Sequence, residues 1–174
     1  MSAILVTPLS AVPETLRRFK PSHLITLLSP DFMIETPAGF PPERHLRVSV
    51  NDIVEPAEGL TPPHEDHIVQ ILEFARGWNG HSPMLVHCWA GVSRSMASAF
   101  SILCDRAPRG SEHRIAQEIR ARAPHANPNR LIVRLADAFL ARDGAMVQAV
   151  DRMDAAVFVD EGTLVEFPLA AFGR

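Results

Sequence analysis

A cysteine and an arginine separated by five residues, Cys88 and Arg94, form the clearest reactive pair in this sequence. They stand between a short apolar run at residues 83–86, typical of a buried strand, and a run of small and apolar residues at helical spacing, 96–103. The first amides of a helix lack intrahelical partners and lie at its positive end, so a loop at this point can bind an anion. The planar guanidinium of Arg94 can bind two phosphate oxygens. The pattern therefore predicts a phosphate-binding loop that contains a nucleophile.

Other residues of this loop also suit that chemistry. The loop amides and Arg94 would stabilise a thiolate at Cys88, which could then attack a bound phosphorus atom. Gly91 permits a positive φ or a close backbone approach, and Ser95 can donate a hydrogen bond to the sulfur when it leaves. His87 is expected to orient the loop from outside it, because a thiolate needs no base. The phosphate would be bound by the guanidinium of Arg94 and by the backbone amides of Trp89, Ala90, Gly91, Val92, Ser93 and Arg94.

The run from His87 to Ser95 resembles the signature of the cysteine-dependent protein tyrosine phosphatase superfamily: His-Cys, five residues, Arg, then Ser or Thr. It is most similar to the dual-specificity branch, among small bacterial-type tyrosine phosphatases. The resemblance spans roughly residues 20–140 in element order. It implies a general-acid aspartate upstream of the cysteine at a strand end, and Asp52 lies 36 residues before Cys88. It also implies an asparagine that braces the loop, for which Asn129 is the candidate.

The resemblance implies a two-step hydrolysis of a phosphomonoester. Cys88 would take the phosphoryl group while Asp52 protonates the leaving oxygen, and a water activated by Asp52 would then hydrolyse the thiophosphate. This scheme requires no metal and no other cofactor. The expected enzyme is thus a phosphatase of the protein tyrosine phosphatase type.

Alternatives for three of these residues stay open in the sequence. Asp52 could be an ordinary turn or cap residue, with Glu55, Glu58 or Asp66 as the acid instead. Asn129 could belong to a helix start in which Asn127 is the cap and Pro128 lies in the first turn. The other cysteine, Cys104, is expected to be a buried apolar residue, because a helix would place it far from Cys88. The cluster 64–67, with two histidines and two acids, is interpreted as a capped helix start and not as a metal site.

Length and composition suggest one phosphatase domain over residues 1–174, with a core at about 20–142 and a C-terminal extension, 155–174, whose role the sequence does not give. The chain is 47% hydrophobic and 21% charged, with a formal net charge of −3. The small negative charge and the lack of basic blocks argue against nucleic acid or a membrane as partner. Two unpaired cysteines and the absence of a signal-peptide pattern suggest a cytoplasmic location. Oligomeric state cannot be predicted.

The element pattern predicts an α/β fold, with a central, mostly parallel sheet of about four to five strands, flanking helices and a helical second half. Strands are expected near residues 3–6, 23–28, 45–50 and 83–87. Helices are expected near 9–19, 62–78, 95–106, 111–123 and 128–142. A hairpin is expected around Asp160–Thr163.

The loop sequence also bears on the substrate. In the superfamily that the loop resembles, members acting on lipids or inositol phosphates tend to have lysines inside the loop, whereas the five central residues here carry no charge. The resemblance therefore favours a monoester on a protein side chain over polyphosphorylated lipids or inositols. In that superfamily, deep pockets that select phosphotyrosine usually include a tyrosine from a separate recognition loop, and this chain has no tyrosine. Strict phosphotyrosine selectivity is therefore not predicted, and phosphoserine and phosphothreonine remain candidates. Phe32, Met33 or Phe40 in the long connection 29–42 could touch the leaving group, although anchoring of that loop is the more ordinary role. A phosphatase for a small soluble phosphomonoester and a non-catalytic phosphoprotein-binding module are the alternative functions.

Overall fold

The apolar runs of the sequence form a five-stranded sheet in a computed structural model that describes residues 2–172. The strands are β1 Ala3–Pro8, β2 His23–Leu28, β3 His45–Ser49, β4 Met84–Cys88 and β5 Val165–Pro168, in the order β3-β2-β4-β1-β5. The pairs β3·β2, β2·β4 and β4·β1 are parallel, and β5 is antiparallel to β1. The predicted α/β class with a mostly parallel sheet is confirmed.

Within residues 2–172, six α-helices accompany the sheet: α1 Val12–Phe19, α2 Glu65–Gly77, α3 Arg94–Arg106, α4 Glu112–Arg122, α5 Arg130–Phe139 and α6 Ala145–Asp151. The carboxyl ends of parallel strands meet at one edge, so β3 and β4 both deliver their following loops to the start of α3. Every side chain from Arg94 to Cys104 is buried. The helix that follows the nucleophile is therefore the central helix of the core.

The helix expected over 128–142 is shorter in the structure, and a further helix follows it. It ends at Phe139, and Ala141 and Asp143 then adopt positive φ values of 51° and 54° in a turn. The carboxylate of Asp137 accepts hydrogen bonds from the amides of Gly144 and Met146, at 2.7 and 2.8 Å. This buried cap starts α6, which the sequence pattern did not predict, because the cap depends on a side chain in the preceding helix.

The hairpin expected around Asp160–Thr163 is wrong. Residues 157–164 form no strand, and only Val165–Pro168 does, pairing with the free edge of β1. The amide of Gly162 is directed instead to the carbonyl of Ala90, at 2.8 Å. With β1 on one side and buried Phe167 and Phe172 on the other, the core extends beyond residues 20–142 at both ends.

The cluster of histidines and acids at 64–67 forms the start of α2, as interpreted from the sequence. His64 is the N-cap: its ring accepts from the amide of Asp66, and its own amide donates to the ring of His67. Between residues 2 and 172, no helix is long and apolar enough to cross a membrane.

Candidate active site

The strand, loop and helix predicted around Cys88 are present. Cys88 is the last residue of β4, Arg94 is the first of α3, and residues 89–93 between them are the signature loop. The Cys88 thiol is buried and lies 3.1 Å from the Ser95 hydroxyl. A hydroxyl at this distance can donate to the sulfur, which is the role expected of Ser95.

Gly91 occupies a position in the signature loop that only glycine fits. Its φ is +70°, and a Cβ atom there would lie 2.7 Å from the backbone nitrogen of Pro8 and 2.8 Å from the carbonyl carbon of Thr7. Both contacts are with backbone at the end of β1, which cannot move aside without disturbing the sheet. The missing side chain therefore lets the loop pass directly over the neighbouring strand.

The guanidinium of Arg94 is anchored on one side and free on the other. Its Nη1 donates to the carbonyl of Val50 at 2.8 Å and to the Ser29 hydroxyl at 3.4 Å. Its Nε is buried, and no group within residues 2–172 accepts a hydrogen bond from it. A buried donor without a partner is unfavourable. An oxyanion above the loop would satisfy this one, and the Val50 contact holds the guanidinium in place for it.

Asp52 lies beside the signature loop, in the segment after β3. Its Oδ1 accepts hydrogen bonds from the Ser93 hydroxyl at 2.7 Å and from Asn129 Nδ2 at 2.8 Å. Glu55 and Glu58, the alternative acids in the same segment, are exposed, and Asp66 lies in the first turn of α2. Within the described residues, Asp52 is the one of these acids with a side-chain hydrogen bond to the signature loop.

The side chain of Asn129 caps a helix and also contacts the segment that carries Asp52. Its Oδ1 accepts from the amides of Leu131 and Ile132, both at 3.0 Å, so Asn129 is itself the N-cap of α5. The proposal of Asn127 as cap is wrong, since the helix begins at Arg130. The side-chain nitrogen Nδ2 of Asn129 donates a hydrogen bond to Asp52. One side chain thus stabilises the start of a helix and the position of the candidate acid.

His87 lies behind the loop in a buried chain of hydrogen bonds. Its Nδ1 is 3.2 Å from the Cys88 carbonyl, which can only accept, so Nε2 must accept from the Thr26 hydroxyl, at 2.7 Å. Thr26 in turn contacts His45, at 2.8 Å, and His45 contacts Thr36, at 2.9 Å. Burial lowers the pKa of His87 and of His45 to about 4, so both rings are neutral near pH 7. His87 is directed at a carbonyl and not at the sulfur.

Aromatic side chains lie at the rim of the candidate active site, beside the signature loop. Trp89 is half exposed and meets Phe32 edge to face, with ring centroids 5.2 Å apart. Phe40, another residue considered for the rim, instead packs against His45 and an internal apolar cluster. A groove of about 440 Å³ beside Trp89 is lined by Leu9, Ser10, Trp89, Asp160 and Glu161, and is called the rim groove below.

The second cysteine, Cys104, is fully buried in α3. Desolvation is the largest cause of a raised pKa for its thiol, which therefore stays protonated. Both cysteines are free. This environment fits the buried apolar role expected of Cys104.

Three features of this site were not found from the sequence. They are the Ser93 hydroxyl on Asp52, the Thr26 and His45 links behind His87, and the contact of Gly162 with the signature loop. The serine could have been noticed, because it lies within the motif. The other contacts join positions far apart in the chain, and no local pattern marks them.

Comparisons with known proteins agree with this geometry. The family model for protein-tyrosine phosphatases matches residues 52–126. Among 22 similar solved chains, DUSP15 has a TM-score of 0.55 at 20% identity, covering 88% of this chain and 94% of that one. Human DUSP28 has a TM-score of 0.57 at 21% identity, covering 83% of this chain and 94% of that one. PTPMT1, solved in complex with PI(5)P, has a TM-score of 0.59 at 17% identity, covering 86% of this chain and 96% of that one. Curated protein sequences give no match.

The match to the family model, together with the shared fold, supports assignment to the cysteine-dependent protein tyrosine phosphatase superfamily. The fold of the chain is similar to that of the small dual-specificity phosphatases DUSP15 and DUSP28. The chemistry that this assignment supports is cysteine-based phosphoester hydrolysis, and its substrate is a phosphorylated molecule.

Proposed function

We propose that this protein hydrolyses phosphomonoesters through a cysteinyl-phosphate intermediate and acts on phosphorylated tyrosine side chains of proteins, with phosphoserine and phosphothreonine as further substrates. The observation that carries the proposal is the arrangement around the signature loop. The Cys88 thiol lies at the base of the loop, the buried Nε of Arg94 has no acceptor within residues 2–172, and Asp52 is hydrogen-bonded at the edge.

In the first step, the Cys88 thiolate attacks phosphorus and a sulfur–phosphorus bond forms. The bond from phosphorus to the leaving oxygen breaks, and the proton of Asp52 passes to that oxygen. In the second step, a water oxygen attacks phosphorus while Asp52 takes a proton from it. The sulfur–phosphorus bond breaks, Ser95 donates a hydrogen bond to the returning thiolate, and inorganic phosphate leaves.

The loop amides and Arg94 supply electrostatic stabilisation in both steps. The transferred phosphoryl group spreads its charge over three oxygens, and donors that are already oriented need no reorganisation when the charge shifts. Because Nη1 of Arg94 donates to the Val50 carbonyl, the Nε edge of the guanidinium is the one that can donate to these oxygens. His87 acts only through the Cys88 carbonyl, because its neutral ring does not contact the sulfur.

The surroundings of the site favour a protein substrate over a polyanionic one. Arg94 is the one basic side chain between His87 and Ser95, and the rim groove has two acids, Asp160 and Glu161, among its lining residues. These acids would repel additional phosphates of an inositol or lipid headgroup and attract a basic residue. The exposed face of Trp89 offers contact to an aromatic leaving group. A phenolic oxygen is also the better leaving group, which favours phosphotyrosine.

The first test is hydrolysis of p-nitrophenyl phosphate in a reducing buffer with EDTA, with vanadate as inhibitor. Wild type should turn over and be inhibited by vanadate, and Cys88→Ser should be inactive while it still binds vanadate. Cys104→Ser is the matched control, because it removes a buried thiol that lies outside the loop. Activity retained by Cys88→Ser would refute the covalent mechanism, and vanadate binding without turnover by wild type would indicate a binding module.

The substrate is tested with phosphotyrosine peptides that carry either arginine or glutamate beside the phosphorylated residue, compared with inositol phosphates and nucleotides. The arginine peptides should have the higher kcat/KM, by up to about fivefold for each exposed charge pair. Salt and the double variant D160N/E161Q should both reduce this preference. Faster turnover of an inositol phosphate or a nucleotide would refute the protein substrate.

A further inference from the structure

The carbonyl groups of the signature loop are held from outside by segments that are distant in sequence. Trp89 O accepts from the amide of Leu9 at 3.0 Å, and Val92 O accepts from the amide of Asn127 at 2.9 Å. Ala90 O accepts from the amide of Gly162 at 2.8 Å. A loop that binds an anion turns its N–H groups inward, so its carbonyl groups point outward. Hydrogen bonds to these carbonyls can therefore fix the conformation of the loop.

Each of these hydrogen bonds to a carbonyl group determines the direction of the N–H group of the next residue. In a trans peptide, the C=O of one residue and the N–H of the next point in opposite directions, and no described peptide is cis. A partner that holds the Ala90 carbonyl outward therefore turns the N–H of Gly91 inward. Leu9 does the same for the N–H of Ala90, and Asn127 for that of Ser93.

A side chain at residue 162 would be crowded between His125 and the signature loop. A Cβ atom at this position would lie 2.7 Å from His125 Nε2, 2.9 Å from His125 Cδ2 and 3.1 Å from the Ala90 carbonyl oxygen. The φ of Gly162 is not in the positive range, so backbone conformation does not require glycine there. The crowding between the His125 ring and the signature loop is therefore the feature of this position that favours glycine.

The segment that carries Gly162 is fixed on both sides. Before it, the amide of Val157 donates to the carbonyl of Pro124 at 2.9 Å, and Glu161 is hydrogen-bonded to Ser10. After it, β5 pairs with β1 from Val165 onward. The Gly162 amide is thus held against the loop by contacts independent of the loop itself.

We propose that Gly162 is a positioning residue for the phosphate-binding loop, because its amide holds the Ala90 carbonyl and so orients the Gly91 amide toward the bound oxyanion. The inference rests on the proposed function and gives the C-terminal segment a part in it. It predicts that a change at residue 162 weakens oxyanion binding in the folded protein, although residue 162 does not contact the substrate.

The test measures tungstate binding by calorimetry for wild type, Gly162→Ala and the control Gly77→Ala. Gly77 has a non-positive φ, and a Cβ atom there would meet no other atom within 4 Å, so alanine should leave binding unchanged. Gly162→Ala should bind tungstate about 10- to 100-fold more weakly, as expected for one misdirected hydrogen bond to an anion. Its kcat/KM should fall by a similar factor.

A second variant separates positioning from folding. His125→Ala removes the side chain that a Cβ at 162 would meet, and adding it to Gly162→Ala should restore at least a part of the lost affinity. Unchanged tungstate affinity in Gly162→Ala, or a lowered Tm with an unchanged Kd for the folded protein, would overturn the inference. If wild type binds tungstate but hydrolyses no ester, the proposed function is refuted. The inference about Gly162 is then decided by the tungstate affinities of wild type and Gly162→Ala alone.

Discussion

The double role of Asn129 allows the positioning of the candidate acid to be separated from the stability of the fold. Its Oδ1 caps α5, and its Nδ2 donates to Asp52 at 2.8 Å and to the Ile53 carbonyl at 3.2 Å. The substitution Asn129→Asp keeps an oxygen at the capping position and replaces the donor by a second oxygen. Aspartate is also a good N-cap, and its charge suits the positive end of a helix.

The expected losses can be estimated from these contacts. A hydrogen bond to a charged group is worth about 1.5–3 kcal/mol, and about 1.4 kcal/mol corresponds to tenfold in rate. The new carboxylate would also repel Asp52, which is exposed and can move away without unfolding the chain. We therefore expect a loss of tenfold or more in kcat/KM for a substrate that needs acid catalysis. Asn129→Ala should show this loss and, in addition, lose about 1 kcal/mol of stability with the cap.

The assay compares p-nitrophenyl phosphate, whose leaving group needs little protonation, with phenyl phosphate, whose leaving group needs more. Asn129→Asp should affect phenyl phosphate much more strongly, and urea denaturation should show it to be more stable than Asn129→Ala. Ser93→Ala, which removes the other donor to Asp52 without touching α5, should show the same dependence on the leaving group. Equal losses for both esters, or an aspartate variant as unstable as the alanine variant, would refute this account of Asn129.

Three further outcomes are expected. Gly91→Ala should abolish both turnover and tungstate binding while circular dichroism stays native, because its Cβ would meet the backbone of β1; retained binding would contradict the close approach. Arg142→Met should leave buried Glu112 without its partner at 2.6 Å and cost about 3–5 kcal/mol in urea denaturation with kcat unchanged, and a loss below about 1 kcal/mol would contradict this. Burial lowers the pKa of His45 and His87 to about 4, so the unfolded chain binds more protons and stability should fall between about pH 6.5 and 4; a constant urea midpoint from about pH 7 to 4.5 would contradict it.

The fold was predictable where its signal is local. The strand at 84–88 is a short apolar run between breakers, and β-branched and leucine residues mark β2 in the same way. The start of α2 was predictable because its cap and acidic first turn lie together in the sequence. By contrast, β5 was misassigned, since its partner is the edge of β1 some 160 residues away, and a turn-like sequence gave a misleading local signal.

The same distinction applies to the site. Cys88, Arg94 and Gly91 could be predicted as one loop because chemistry and local conformation require them within seven residues. Asp52 and Asn129 could be placed only through the family resemblance, and their mutual hydrogen bond is a product of the fold. Their functional roles therefore stay predictions that the substitutions above would test.

The signature motif specifies the chemical groups of the loop, but the fold has to orient them. The side of Arg94 that faces an anion depends on the carbonyl of Val50, and the directions of the loop amides depend on partners as distant as Leu9 and Gly162. The match to the family model ends at residue 126, whereas Asn129 and Gly162 both lie beyond it. Substitutions at Asn129 and Gly162 would therefore test whether the part of the chain beyond the matched region positions the signature loop and its candidate acid.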